Sequence, residues 1–95
     1  MYNTVERQNF SNIAATTAAF TLRGGSYGID VSATFGGGSV TLQKLSGDGT
    51  TYVTCLTAFS AAGYASVNLP SGTYRVAIAT ATAVYVQITS IVTTM

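Results

Sequence analysis

The 95-residue chain reads as an all-β protein, a single β-sandwich or jelly roll of about 7–8 antiparallel strands. Three observations predict this. Apolar and polar residues alternate in short runs, most clearly where Tyr27, Ile29, Val31, Ala33 and Phe35 interleave with Asp30, Ser32 and Thr34. Glycine clusters, small polar residues and the single proline interrupt such runs at roughly 10-residue spacing. No stretch requires a helix of useful length.

The elements follow in order. Residues 1–12, MYNTVERQNFSN, set Tyr2, Val5 and Phe10 on a polar background. They read as an arm, flexible or bound to a partner, ahead of a sandwich domain over residues 13–95. Ile13 to Arg23 is the first candidate strand, with Phe20 and Leu22 on one side; its alanine-rich start is equally compatible with helix. Gly24 and Gly25 break it, and the Tyr27–Phe35 alternation follows. Gly36, Gly37 and Gly38 supply a turn, and Val40 and Leu42 lie on the return strand. Asp48-Gly49 signals a hairpin, because both residue types tolerate positive φ. Tyr52 to Thr57 reads as a strand and AFSAAG as a looser link. Ala65, Val67 and Leu69 alternate up to the Pro70-Ser71-Gly72 turn. Tyr74, Val76 and Ile78, then Val84, Val86 and Ile88, complete the set.

An internal echo runs through these strands. SYGIDVSAT (Ser26 to Thr34) resembles TYRVAIATA (Thr73 to Ala81), and a V-x-[LV]-Q pattern recurs at Val40 to Gln43 and Val84 to Gln87. Duplication of a hairpin and chance likeness between two amphipathic hairpins both account for it.

Composition narrows the function. Charged residues make up 7% of the chain, against about 25% in globular proteins. A net charge of +1 gives no field to draw nucleic acid, an acidic substrate or a membrane surface. From Gly49 onward Arg75 is the only charged side chain. The stretch from Val76 to Met95 has the length of a membrane span, yet its threonines and alternate β-branched residues predict strands. No secretory signal is visible at the N-terminus. Cys55 is the only cysteine, so no disulfide closes within the chain.

The residues offer little chemistry. Histidine is absent, and Glu6, Asp30 and Asp48 are scattered, which leaves no paired carboxylates. Cys55 has no histidine partner and reads as a small buried strand residue rather than a nucleophile. GGGS at Gly36 to Ser39 lacks the Lys-Ser/Thr of a phosphate loop. Tyr52, Tyr64, Tyr74 and Tyr85 suit either a sugar platform or ordinary packing. Lys44 would need a buried acid beside it to form an isopeptide cross-link. The expectation is a non-enzymatic protein without metal or cofactor.

Adhesion is what remains. An uncharged exposed edge on the final strands would invite aggregation unless neighbours cover it. Candidate contact residues are therefore Tyr2, Val5, Arg7 and Phe10 of the arm, with Tyr85, Gln87 and Thr89 along one face of the last strand.

A resemblance makes this more specific. GGSYGIDVSATFGGGSVTLQKLSGDGTTYV, followed by LPSGTYRVAI, resembles small β-sandwich proteins encoded among the virion genes of tailed bacteriophages. There a glycine-led strand, a VTLQ strand, a DGT turn and an LPxGxYRV hairpin recur in this order. The likeness covers about Gly24 to Val92. It implies a capsid decoration or cement protein, often trimeric, that binds across boundaries between major capsid protein subunits. Another virion part, such as a head–tail connector, tail component or fibre base, fits the same features. A particle assembled in the host cytoplasm would suit the free cysteine and the lack of an export signal. LPSGTYRV also resembles the closing hairpin of prealbumin-like surface repeats, which implies an adhesin or carbohydrate-binding module instead.

Overall fold

A computed structural model of the chain describes residues 7–91. They form eight strands: β1 (Arg7–Ile13), β2 (Phe20–Leu22), β3 (Gly25–Thr34), β4 (Ser39–Leu45), β5 (Tyr52–Thr54), β6 (Gly63–Leu69), β7 (Gly72–Ala79) and β8 (Thr82–Ser90). One sheet has the order β1-β8-β3-β6 and the other β2-β7-β4-β5. All pairings are antiparallel. The described residues contain no helix, and so none long and apolar enough to cross a membrane.

The pairs β1·β8, β2·β7, β3·β6 and β4·β5 are nested one inside the next. That is a long antiparallel ribbon folded over on itself, the jelly-roll form of the sandwich. One consequence corrects a local expectation. Only β4–β5 is a hairpin within a sheet; every other connection carries the chain from one sheet to the other. The glycine turn after β3 and the Pro70-Ser71-Gly72 turn after β6 are therefore corners of the sandwich.

The inward faces follow from the alternation. Tyr27, Ile29 and Val31 of β3 and Val84, Val86 and Ile88 of β8 meet Val40 and Leu42 of β4 and Tyr74 and Val76 of β7 in the core, with Leu22, Leu69 and Ala81 completing it. Fully burying one such aliphatic side chain stabilises by about 1.5–3 kcal/mol. No charged or polar residue is buried among the described ones.

The echo has a partial structural basis. Exchanging β3 with β7 and β4 with β8 maps the β8·β3 pair onto the β4·β7 pair. Tyr27 and Tyr74 occupy matching core positions, and each hydroxyl donates to a carbonyl four residues back, at Arg23 (2.6 Å) and at Pro70. This is how a buried tyrosine keeps its polar tip satisfied. The V-x-[LV]-Q half is out of step. Val40 faces Ile78 while Val86, not Val84, faces Val31, a shift of two residues.

Two expectations change at the beginning of the chain. The segment expected as an arm is part of the sheet from Arg7 on, where β1 pairs with β8 from Arg7↔Thr89 to Ile13↔Val84; Tyr2 and Val5 lie outside the described residues. The expected strand from Ile13 to Arg23 is neither one strand nor a helix. Residues 14–19 run beside β7, where the Thr16 and Thr17 hydroxyls accept the Ile78 and Val76 amides at 3.1 Å each. Threonine hydroxyls there replace the ladder carbonyls that β2 is too short to provide. The Tyr52–Thr57 strand is likewise shorter than expected. After Thr54, a Cys55 amide to Leu42 carbonyl bond and a bridge between Phe59 and Val40 close the side of β4.

Candidate functional site

The outer face of the β1-β8-β3-β6 sheet gathers most of the expected contact residues. Register sets its rows. Arg7 faces Thr89, which faces Gly28, which faces Ser66. In the next row Asn9, Gln87, Asp30 and Tyr64 lie side by side. Tyr85 stands opposite Ser32. Arg7, Tyr85, Gln87 and Thr89 thus share one surface because they occupy outward positions on adjacent strands.

Phe10 differs. It has the opposite parity in β1 and turns inward, packing against the core with its ring 5.5 Å from that of Phe20. In the fold it packs at the sheet edge, outside the row of Arg7, Tyr85, Gln87 and Thr89.

Tyr64, expected only among the tyrosines of a sugar platform or ordinary packing, and Ile91 were not among the expected contact residues. Four large apolar or aromatic side chains are markedly exposed among the described residues: Val53, Tyr64, Tyr85 and Ile91. The last three belong to this face or its end, and Tyr64 is the most open at 65%. The signal for Tyr64 was its place one residue before the inward Ala65. Its ring leans over Gly28, where an added Cβ would come within 2.6 Å of the hydroxyl. The bare glycine backbone gives the ring a bed on the sheet.

Two shallow depressions indent the surface here. One, of about 270 Å³, is lined by Asn9, Ser11, Asp30, Tyr85 and Gln87 together with Phe10 and Val86. A bulge creates it: between Phe10↔Val86 and Ile13↔Val84, β1 carries an extra residue, with Asn12 at φ 52°. Bulges twist an edge and re-aim side chains. The other, of about 280 Å³, lies between Ser26, Ser66, Asn68 and Ile91, with the Ser26 hydroxyl donating to Asn68 at 2.6 Å.

The opposite sheet is occupied by its own contacts. Arg75 donates to Gln43 at 2.9 Å, and its guanidinium lies 4.0 Å from the centre of the Tyr52 ring. The four strand tyrosines accordingly form no single platform. Tyr74 is in the core, Tyr52 is under Arg75, and only Tyr64 and Tyr85 share a face.

The remaining reactive groups are accounted for locally. The Asp48 carboxylate accepts from the Thr51 amide (2.9 Å), the Thr50 amide (2.8 Å) and the Thr51 hydroxyl (2.7 Å). These bonds, the Thr51 amide foremost, hold its pKa down at about 2. Burial pushes the Cys55 thiol upward, against a smaller opposing pull from Lys44. Lys44 donates to the Leu45 carbonyl at 3.3 Å, and the described residues bring no buried acid to it. No group of three or more Cys, Asp or Glu side chains among them is placed to hold a metal.

The last strands require a correction. β8 lies between β1 and β3, and β7 between β2 and β4. Neither has an open edge, so the absence of charge after Arg75 needs no outside partner. The chain's own β1 and β2 cover those edges. Comparison with protein-family models, with curated proteins and with solved structures finds no match to this chain.

Proposed function

We propose that the chain is a non-enzymatic structural protein of a virion, a decoration or cement protein that binds across major capsid protein subunits through the outer face of the β1-β8-β3-β6 sheet. One observation carries the choice of face: Tyr64, Tyr85 and Ile91 are exposed there together, amid Arg7, Asn9, Gln87 and Thr89. Aromatic side chains and arginine on a polar background are what protein interfaces favour: the aromatic rings bury large area at small entropic cost, and arginine offers a fork of hydrogen-bond donors. The place in a virion rests on the sequence resemblance. The action is mechanical: many contacts, repeated over a shell, resist its expansion.

The test mixes the purified chain with shells of the major capsid protein encoded alongside it. The chain should sediment with the shells, in copy numbers comparable to those of the coat subunits. A Tyr64→Ala/Tyr85→Ala variant with an unchanged melting curve should stay in the supernatant. Binding only at a tail or connector, in far fewer copies, assigns the chain there instead. No binding to any virion part overturns the reading.

A specific observation favours a carbohydrate-binding module as the second reading. The Asn9–Asp30–Tyr85–Gln87 depression combines amide, carboxylate and aromatic groups, which is how neutral sugars are held. Specific signals on a glycan array, lost in Asp30→Ala, would support it.

A further inference from the structure

A jelly roll leaves four strand edges, and here they are not alike. β2 and β5 are three residues each. β1 has seven residues but begins with Arg7 and is broken by the bulge at Ser11 and Asn12. These are the devices by which β-proteins keep edges from pairing with other chains. β6 has none of them. Its residues Gly63–Leu69, GYASVNL, include no charge and no proline, and pair with β3 in unbroken register from Val31↔Gly63 to Gly25↔Leu69. Among the described residues no strand pairs with its other side. The Phe59 ring stands beside Gly63, which leaves Tyr64 to Leu69 open.

We infer that β6 is a self-association edge, and that two copies of this chain pair β6 with β6 antiparallel about a two-fold axis at Ser66. The occupant follows from what the edge demands. Open main-chain N–H and C=O groups are met by another open, regular strand, and β6 is the one such strand the described residues offer. Centring on Ser66 keeps the two faces in step. Tyr64 then stands beside the partner copy's Asn68 and Ser66 beside its own equivalent, all outward. Ala65 stands beside the partner copy's Val67, both inward. Those inward side chains are only half-buried in the single chain, and the neighbouring sheet covers them. Serine directly opposite serine is a favourable cross-strand pair, and no like charges meet. The isologous contact closes on itself, so it yields a dimer and not a fibre. The two four-stranded sheets become one of eight strands, and the Tyr64–Tyr85 face doubles. The pairing stands on the edge alone, whatever that face adheres to.

The test is sedimentation equilibrium of the full chain, combined with amide hydrogen exchange. The wild type should show a concentration-dependent species of twice the 9.8 kDa chain mass. The amides of Tyr64, Ser66 and Asn68, which point away from β3, should gain protection as concentration rises, while those of β1 do not. Ser66→Lys and Ser66→Glu, outward and exposed in the single chain, each set like charges in direct opposition, which should weaken the dimer about tenfold. Mixing the two variants should restore it as a heterodimer. Circular dichroism melts of each variant confirm folding, and either variant suffices for the comparison. A wild type that is monomeric up to its solubility limit overturns the proposal. So does a trimer, or a dimer indifferent to both substitutions and protected elsewhere.

Discussion

Gly38→Ala should be among the most damaging single-methyl changes in this protein. A Cβ at Gly38 would stand 1.9 Å from the Ala79 carbonyl oxygen, 2.7 Å from the Ala81 nitrogen and 2.8 Å from the Thr80 Cβ, where real Cβ atoms essentially never come within 3.0 Å. Two of these obstacles are backbone, so no rotamer change relieves the clash. The β3–β4 and β7–β8 corners would have to part by about an ångström in a close-packed structure. That motion pulls on the Ser39↔Ala79 pairing at the end of the β4·β7 ladder and on the buried Ala81. The β7–β8 corner has little slack, since Thr80 already sits at φ 68° with the Ala81 amide bonded to the Ala79 carbonyl at 2.7 Å. Overpacking ordinarily costs about 1–3 kcal/mol; a rigid backbone obstacle puts this case at about 3 kcal/mol or more. For a domain of this size that lowers the melting temperature by roughly 12–24 °C. Gly47→Ala adds the same methyl where nothing lies within 4 Å, and should stabilise by about 0.4–1 kcal/mol through the unfolded state. Urea unfolding followed by circular dichroism and tyrosine fluorescence measures both. A Gly38→Ala midpoint close to that of the wild type would refute the close approach of the two corners.

Three further outcomes are expected. Tyr27→Phe and Tyr74→Phe should each cost about 1 kcal/mol, and the double variant about the sum, because the two hydroxyls bond to separate carbonyls; neutral substitutions would show that the rings alone matter. Asp48 has a folded-state pKa lowered to about 2, so its contribution to stability is complete above its unfolded value near 4 and is lost as pH falls through about 2. A carboxyl NMR titration with an ordinary midpoint would contradict this, and Asp48→Asn should flatten the acid limb of the stability profile. The Cys55 thiol, raised by burial, should react with a disulfide reagent at mildly alkaline pH more slowly in the folded chain than in urea; equal rates would mean that the thiol is open.

Local pattern revealed what local forces decide. The Tyr27–Ile29–Val31 alternation specified a strand with one buried face, and Asp48-Gly49 marked the one true hairpin, with Gly49 at φ 79°. Non-local partners left no such trace. β1 is an edge strand, so only one face, carried by Phe10 and, across the bulge, by Ile13, need be apolar, and its sequence is that of a solvated arm. The lack of charge after Arg75 was a genuine signal of protection, but it marked central strands of both sheets instead of an outer edge. Tyr85, Gln87 and Thr89 were legible as a row because period two fixes their common side; Tyr64 joins them only through the β8-β3-β6 order, which no single segment encodes.

The nested pairing also governs when the fold can exist. β8 completes the centre of one sheet, and β1, at the other end of the described chain, has no partner until β8 arrives. During synthesis the β4–β5 hairpin is the only ladder of consecutive strands that can form early, and it is too short to persist alone. Folding must therefore wait for nearly the whole chain and proceed by closing long loops, in the slow, milliseconds-to-seconds range of β-sandwich topologies. Until then the β6 strand and the apolar faces of β7 and β8 are open to other nascent copies. Refolding yield should fall steeply with protein concentration, even though three of the four edges of the finished sandwich are short, charged or bulged.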